Sequence, residues 1–242
     1  MRGLLLALLA LSTAASAGPA KPRLLLFTGS TGYRHASIDP GAAALTALGR
    51  RQGFEVVTRD DPAAFDDLRA YRVIVLLSTT TDPKKAESEW LQGPRRTELQ
   101  RFVRAGGGVA AIHAAADSHY HWPWYGALIG GRFERHAEGT PRGTLRRHAS
   151  RHPAAKPVPE RFERTDEWYY FADYDPASEL LVSLDPASIG EKDVNPNPVS
   201  WARRFEGGRV FYTAMGHTAE SYSEPLFLRH VAGGLRWAAG RD

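Results

Sequence analysis

The 242-residue chain contains no cysteine. That absence removes disulfide cross-links, thiolate-bound zinc and any sulfur nucleophile, so acyl-enzyme chemistry on a thiolate is excluded. Long apolar runs are scarce too. The longest opens the chain, where Leu4 to Leu11 follows a single charge at Arg2 and precedes the small residues Ala15-Ser16-Ala17. It is too short to span a bilayer and reads as a signal peptide over residues 1–17, which implies a periplasmic or secreted mature protein with no stable membrane insertion after cleavage. The remainder, residues 23–240, suffices for one α/β domain whose core must hold without cross-links. The formal net charge of +4 comes from scattered arginines. The densest basic stretch, 142–156, reads as a solvated strand and loop with His148 and His152 at the surface, and nucleic acid is not an expected partner.

Against this background stand short, continuous apolar runs. Arg23–Phe27, Phe54–Thr58, Arg72–Leu77 and Val109–Ile112 read as buried strands. Between them lie a helix opened by Asp39-Pro40 and ending near Gly53, and another that begins at Pro94 and stops at Gly106. The alternation indicates a doubly wound, mainly parallel sheet. Further along, Trp122–Leu128 reads as a short helix and Leu180–Leu184 as a strand. Val199–Arg204 and Arg209–Ala214 flank Glu206-Gly207-Gly208 as an added β-hairpin, and Ser223-Glu224-Pro225 opens a last helix on which His230 packs.

The most informative segment is Gly-Gly-Gly-Val-Ala-Ala-Ile-His-Ala-Ala-Ala-Asp, 106–117. An apolar strand ends at His113 among alanines, as in a nucleophile elbow, where small neighbours permit a sharp strand-to-helix turn. Here the apex is an imidazole. In an open parallel sheet, ligands collect beyond the carboxyl ends of the strands. Those ends carry Tyr33, Arg34 and His35, then Ser78 to Thr81, then His113 and Asp117, and finally His217 and Glu220.

The elbow followed much later by a His and Glu after a strand resembles the class I glutamine amidotransferase fold, without its cysteine. A closer resemblance is to the ThuA-like (trehalose utilisation) family. It is carried by Gly-Tyr-Arg-His-Ala-Ser-Ile (32–38), the 106–117 segment, Trp-Pro-Trp-Tyr-Gly (122–126), Arg-Thr-Asp-Glu-Trp-Tyr-Tyr-Phe (164–171) and Gly-His-Thr-Ala-Glu-Ser-Tyr-Ser-Glu-Pro-Leu-Phe (216–227). The resemblance implies a flavodoxin-like α/β sheet and a link to the catabolism of disaccharides through 3-keto intermediates. Asn197 before Pro198, and Thr140 after His136, depart from the residues many relatives carry there.

The resemblance also implies a pocket lined by His35, His113, Asp117, His136, Asp166, Glu167, His217 and Glu220, with Arg34, Trp122 and Trp124 alongside as sugar contacts. His113, expected to be exposed, would serve as base, and His217 would be oriented by Glu220. Asp166 and Glu167 would bind hydroxyls or supply an acid, the alternative being a salt bridge to Arg164. The same groups suit a divalent metal such as Zn²⁺, with His113, His217 and Asp117 as candidate ligands. His119-Tyr120-His121 precedes Trp-Pro-Trp and reads as a loop. The expected partner is a small sugar or keto-sugar, with self-association left open. The expected activity is an acid–base hydrolase, lyase or isomerase, the alternative being a non-catalytic carbohydrate-binding module.

Overall fold

Leu24, Leu25, Leu26 and Phe27 are all buried, and so are Val73 to Leu77 and Val109 to Ile112. Strands that apolar on both faces belong inside a parallel sheet covered on two sides, and each fully buried aliphatic side chain contributes about 1.5–3 kcal/mol. A computed structural model describes residues 20–192 and 197–241 and places these runs at the sheet's centre. Strands β1 (Arg23–Phe27), β2 (Glu55–Arg59), β3 (Tyr71–Leu77) and β4 (Gly108–Ile112) are joined by helices α1 (Ile38–Arg51) and α2 (Pro94–Arg104). After β4 come α3 (Pro123–Ile129), β5 (Arg132–His136), β6 (Arg142–Arg147), β7 (Arg161–Thr165), β8 (Tyr169–Ala172) and β9 (Glu179–Asp185). The chain closes with β10 (Asn197–Phe205), β11 (Gly208–Thr213) and α4 (Pro225–Ala238). The signal-peptide reading of residues 1–17 lies outside the described residues. No described helix is long and apolar enough to cross a membrane.

The main sheet has nine strands in the order β2-β1-β3-β4-β11-β10-β9-β6-β7. The five from β2 to β11 are parallel, and from β10 to β7 every pairing is antiparallel. Neighbouring residues at the start of β4 show the two-sided winding: a Cβ at Gly107 would meet the Phe102 ring of α2, and one at Gly108 the Ala238 carbonyl of α4. The expected hairpin forms between β10 and β11. Phe205 pairs with Gly208 across Glu206 (φ 45°) and Gly207 (φ 98°), the two positive values that a two-residue primed turn requires.

Three features differ from the sequence expectations. The elbow leads into a single 3₁₀ turn, His113–Ala116, and not a long helix. Arg142–Arg147 is an integrated strand between β7 and β9, since its middle residues Gly143, Thr144 and Leu145 are buried while arginines bracket them. His152, expected at the surface, is buried against Trp237, because the loop that carries it folds back under α4. Strands β5 and β8 form a separate antiparallel ribbon.

Candidate active site

At the end of β4, His113 adopts φ 52°, a left-handed conformation that costs a non-glycine residue about 1–2 kcal/mol. Its surroundings hold it there. The Tyr212 hydroxyl donates to the His113 carbonyl (2.8 Å), and the Tyr125 hydroxyl donates to Ala115 O (2.9 Å). Ala111, Ala114, Ala115 and Ala116 are buried around the bend, where larger side chains would collide. The ring itself is fully buried, not exposed as the sequence reading expected, because β8 covers it: Tyr169 packs on it at 4.5 Å. Its Nδ1–H donates to the Ala214 carbonyl (2.7 Å), so the lone pair resides on Nε2. That atom lies 3.1 Å from His217 Nδ1 and 3.4 Å from Glu167 Oε2.

Three other segments complete the cluster. The loop after β1 supplies His35, whose ring stands edge-on to His113 (4.9 Å) and His217 (5.2 Å). The segment after β11 supplies His217, and the one after β7 supplies Glu167, with His217 Nδ1 and Glu167 Oε2 3.1 Å apart. One donor atom from each of His35, His113, Glu167 and His217 lies within 4.8 Å of the other three. Burial, reinforced by the neighbouring imidazoles, pushes His35 down to about 3 and keeps it neutral. The Glu167 hydrogen bond raises His217. For Glu167, burial favours the neutral acid, but the hydrogen bond from His217 and the two neighbouring imidazoles outweigh it and hold the carboxylate ionised.

Beneath the cluster, Asp166 acts as a clamp. Its Oδ1 accepts the backbone N–H groups of Glu167 (3.0 Å) and His217 (3.1 Å), and its Oδ2 accepts that of Gly216 (2.9 Å). Fully buried, it pairs with Arg164 (3.1 Å), which also donates to Ser221 (2.7 Å). One carboxylate therefore sets the register between the two strand ends that carry Glu167 and His217. The alternative considered from sequence, an ion pair to Arg164, describes Asp166. The hydroxyl-binding role does not fit it, since no face of it is open.

The sequence profile for trehalose utilisation, ThuA, matches residues 23–238. The chain belongs to the ThuA family. Solved structures agree. A ThuA-like protein from Bacteroides uniformis is 22% identical with a TM-score of 0.72, over 93% of this chain and 95% of that one. A second, from Parabacteroides merdae, is 19% identical with a TM-score of 0.73, over 91% and 90%. PurLQS from Thermotoga maritima has a TM-score of 0.56 at 14% identity, over 91% and 98%, a likeness of fold alone. No curated protein matches the chain.

Other expected residues of this ThuA domain stand elsewhere. Glu220 is exposed and has no hydrogen bond or ion pair among the described residues, because the 3₁₀ turn Ala219–Ser223 carries it outward; Glu167 takes the place at His217 assigned to it. Asp117 is outside the donor cluster but feels the charges of His113, Glu167 and His136. Burial pushes its carboxyl up to about 6 even though the Tyr120 hydroxyl donates to it. His136, half-exposed, sits at the rim 3.6 Å from Glu167 Oε1. Arg34 is exposed and bonded to Thr28 O and Asp39. Trp122 and Trp124 stack on each other at 5.0 Å and pack against Arg96 and Phe205, as wall residues. Asn197, the departure from the family pattern, is buried and donates to Tyr169 O (3.1 Å), which ties β10 to the residue over His113.

From sequence, Tyr120 and Tyr169 are aromatics suited to sugar faces or to wall packing, and Tyr33 stands in a polar cluster at a strand end. All three lie within the family segments or beside them, but only the fold shows their contacts. Tyr33 is 69% exposed and stands edge-on to His35 at 4.8 Å.

The donor set fits a divalent ion. His35 Nδ1 is buried without a hydrogen-bond partner among the described residues. Tetrahedral zinc with bonds of about 2.0–2.1 Å places its ligand atoms roughly 3.3 Å apart. The separations among His113 Nε2, His217 Nδ1 and Glu167 Oε2, 3.1, 3.1 and 3.4 Å, match that edge. The sequence reading named His113 and His217 correctly as members of the cluster, whereas its third candidate, Asp117, is replaced by Glu167 and His35.

Proposed function

We propose that this protein acts on a sugar or 3-keto-sugar derived from a disaccharide, by acid–base chemistry at a divalent-metal centre held by His35, His113, His217 and Glu167. The observation that carries this reading is the convergence of three imidazoles and one carboxylate, each from a different segment, within 4.8 Å. Family membership supports the carbohydrate class. Export follows as a proposal from residues 1–17.

A divalent ion there would supply Lewis acidity toward a carbonyl or a bound water. The chain's own groups divide the remaining work. The Ala214 carbonyl fixes the His113 tautomer, and the Asp166 clamp fixes His217. Asp117, with its carboxyl pushed up to about 6, gives and takes a proton close to neutral pH, and the Tyr120 hydroxyl orients it. His136 and Tyr33, at the rim, face the substrate. Tyr169 closes the floor and excludes water from His113. Hydrolysis, elimination and isomerisation of a keto-sugar all begin with a proton moved beside a carbonyl, and these groups serve each of them.

The test combines metal analysis with turnover. Protein purified without chelators should carry close to one divalent ion per chain and should convert a 3-keto-disaccharide. Active protein free of metal would remove the metal centre from the proposal. Sugar binding without turnover would favour a non-catalytic carbohydrate-binding module, and neither binding nor turnover across disaccharides and their 3-keto derivatives would end the carbohydrate reading.

A further inference from the structure

A cavity of about 400 Å³ lies between α3, the start of β5, the segment after β8 and Arg203 of β10. None of the four clustered donors lines it. Tyr120 forms part of its wall and donates its hydroxyl to Asp117, which lies outside the donor cluster.

The wall's charges cancel. Arg132 pairs with Asp173 (3.0 Å) and Arg203 with Asp175 (2.6 Å), and Arg203 also donates to Ala127 O (2.8 Å). Two guanidinium groups balanced by two carboxylates offer both donors and acceptors with no net field to attract an ion. Tyr120, Trp122 and Pro123 add apolar surface. Donor–acceptor pairs beside apolar carbon suit a neutral molecule with several hydroxyls and exposed C–H faces.

His119 supplies the second observation. It lines the same cavity, its side chain is fully buried against Trp90, Trp122 and Tyr125, and neither ring nitrogen has a hydrogen-bond partner among the described residues. The nearest carboxylate oxygen, Glu89 Oε2, is 3.7 Å from Nδ1. Its backbone is held at φ 55°, anchored by the His119 N–H donating to Thr81 Oγ1 (2.9 Å). Burial keeps the ring neutral, with one donor and one acceptor nitrogen. Buried polar atoms in native proteins are nearly always satisfied, and an orphan in a cavity wall points to a polar occupant.

We propose that this cavity is a second carbohydrate site, which takes a neutral polyol of about one sugar ring and is separate from the His/Glu cluster. The cavity's chemistry is independent of the cluster, so this site stands whether or not the cluster is catalytic.

Gly126 provides the test. It lies in α3 and lines the cavity, and a Cβ there meets nothing within 4 Å. Gly126→Leu therefore fills the space while improving helix propensity, so the fold is retained and the melting temperature stays at or above wild type. Glucose and trehalose are titrated into the full chain, with amide shifts of His119, Gly126 and Gly130 followed by NMR and affinity by calorimetry. Wild type and His113→Ala should both show saturable shifts at these residues with Kd of about 1 mM, and Gly126→Leu should lose them, with affinity at this site down at least roughly tenfold. Phosphate and a quaternary ammonium ion should leave the shifts unchanged. Absence of sugar-induced shifts at these residues in wild type overturns the proposal, as does their persistence in Gly126→Leu or an equal response to phosphate. If sugar binds but perturbs only the cluster and is lost in His113→Ala, the second site falls while the reading of the cluster stands.

Discussion

The parallel and antiparallel halves of the sheet meet at one site but build it differently. The parallel strands β1, β4 and β11 end at one rim, with β3 between β1 and β4, and the segment after each supplies a histidine: His35, His113 and His217. The antiparallel half contributes the acidic partner, Glu167, and the clamp beneath it, Asp166, from the segment that follows the edge strand β7. Parallel winding thus supplies imidazoles by repetition, while the antiparallel extension brings back the carboxylate that pairs with them. The division is physical. Parallel strands necessarily present like ends to one rim, whereas an acid placed beside those imidazoles has to return from elsewhere in the chain.

The sharpest way to break this comparison is to remove one donor from each half. His113→Ala and Glu167→Ala should each abolish stoichiometric metal binding, measured by elemental analysis, and should lower any keto-sugar turnover by about 10³-fold. If only one of the two does so, the halves are not equal partners in the centre.

Asp166→Asn tests the link between halves. It removes the nearer of the two carboxylates that face buried Arg164, the other being Glu224 at 3.3 Å, and should cost up to about 3–5 kcal/mol in urea unfolding. It should also weaken Zn²⁺ or Co²⁺ affinity roughly 10–100-fold through a misplaced His217. Unchanged metal affinity with lowered stability would leave Asp166 a structural residue only.

Core truncation compares the halves without touching chemistry. Ile74→Ala in β3, fully buried in the parallel half, should cost about 2–5 kcal/mol. Phe162→Ala on the edge strand β7, only partly buried, should cost less by the same denaturant measurement.

Asp117→Asn gives a smaller effect with a defined pH dependence. The folded-state carboxyl is pushed up to about 6, above its ordinary value of 3.8, so the fold prefers the protonated acid. That preference is fully present below the unfolded value and is lost as pH rises through 6. The Asn variant should therefore be more stable than wild type at pH 8 by about 1–3 kcal/mol and equal to it near pH 4, as read from melting curves. Glu220→Ala, at an exposed and unpartnered carboxylate, should change stability and metal binding by no more than about 0.5 kcal/mol. A large loss there would restore the His217–Glu220 pair that the sequence pattern suggested.

Legibility in the sequence followed the same divide. Continuous runs such as Val73–Leu77 announce strands buried on both faces, and β1 to β4 form within a residue or so of their expected bounds. The hairpin turn at Glu206-Gly207 was also readable, since glycine there permits the backbone the turn needs. Strands β5, β7 and β8 were not readable, and β6 reads as solvated, not as an inner strand of the sheet. Arg-Phe-Glu-Arg-His at 132–136 and Arg-Phe-Glu-Arg-Thr at 161–165 are short, highly charged and only partly buried, so their apolar pattern is too weak to distinguish strand from loop. At the site, the family segments pointed to His35, His113, His217 and Glu167. They pointed equally to Glu220 and Asp166, whose side chains turn to solvent and to the clamp. Spacing along the chain carries no information about which of two neighbouring carboxylates faces an imidazole across the sheet.

Composition and local pattern alone determined that there is no sulfur chemistry, that a parallel α/β core forms, and that an imidazole occupies the elbow, because each depends on residue identity within a short window. Tertiary structure decided which acid completes the cluster, that His113 is buried, and that an unsatisfied His119 lines a separate cavity. Those outcomes depend on contacts between segments 50 to 100 residues apart, and they are settled by burial and hydrogen-bond satisfaction only once the chain has closed on itself.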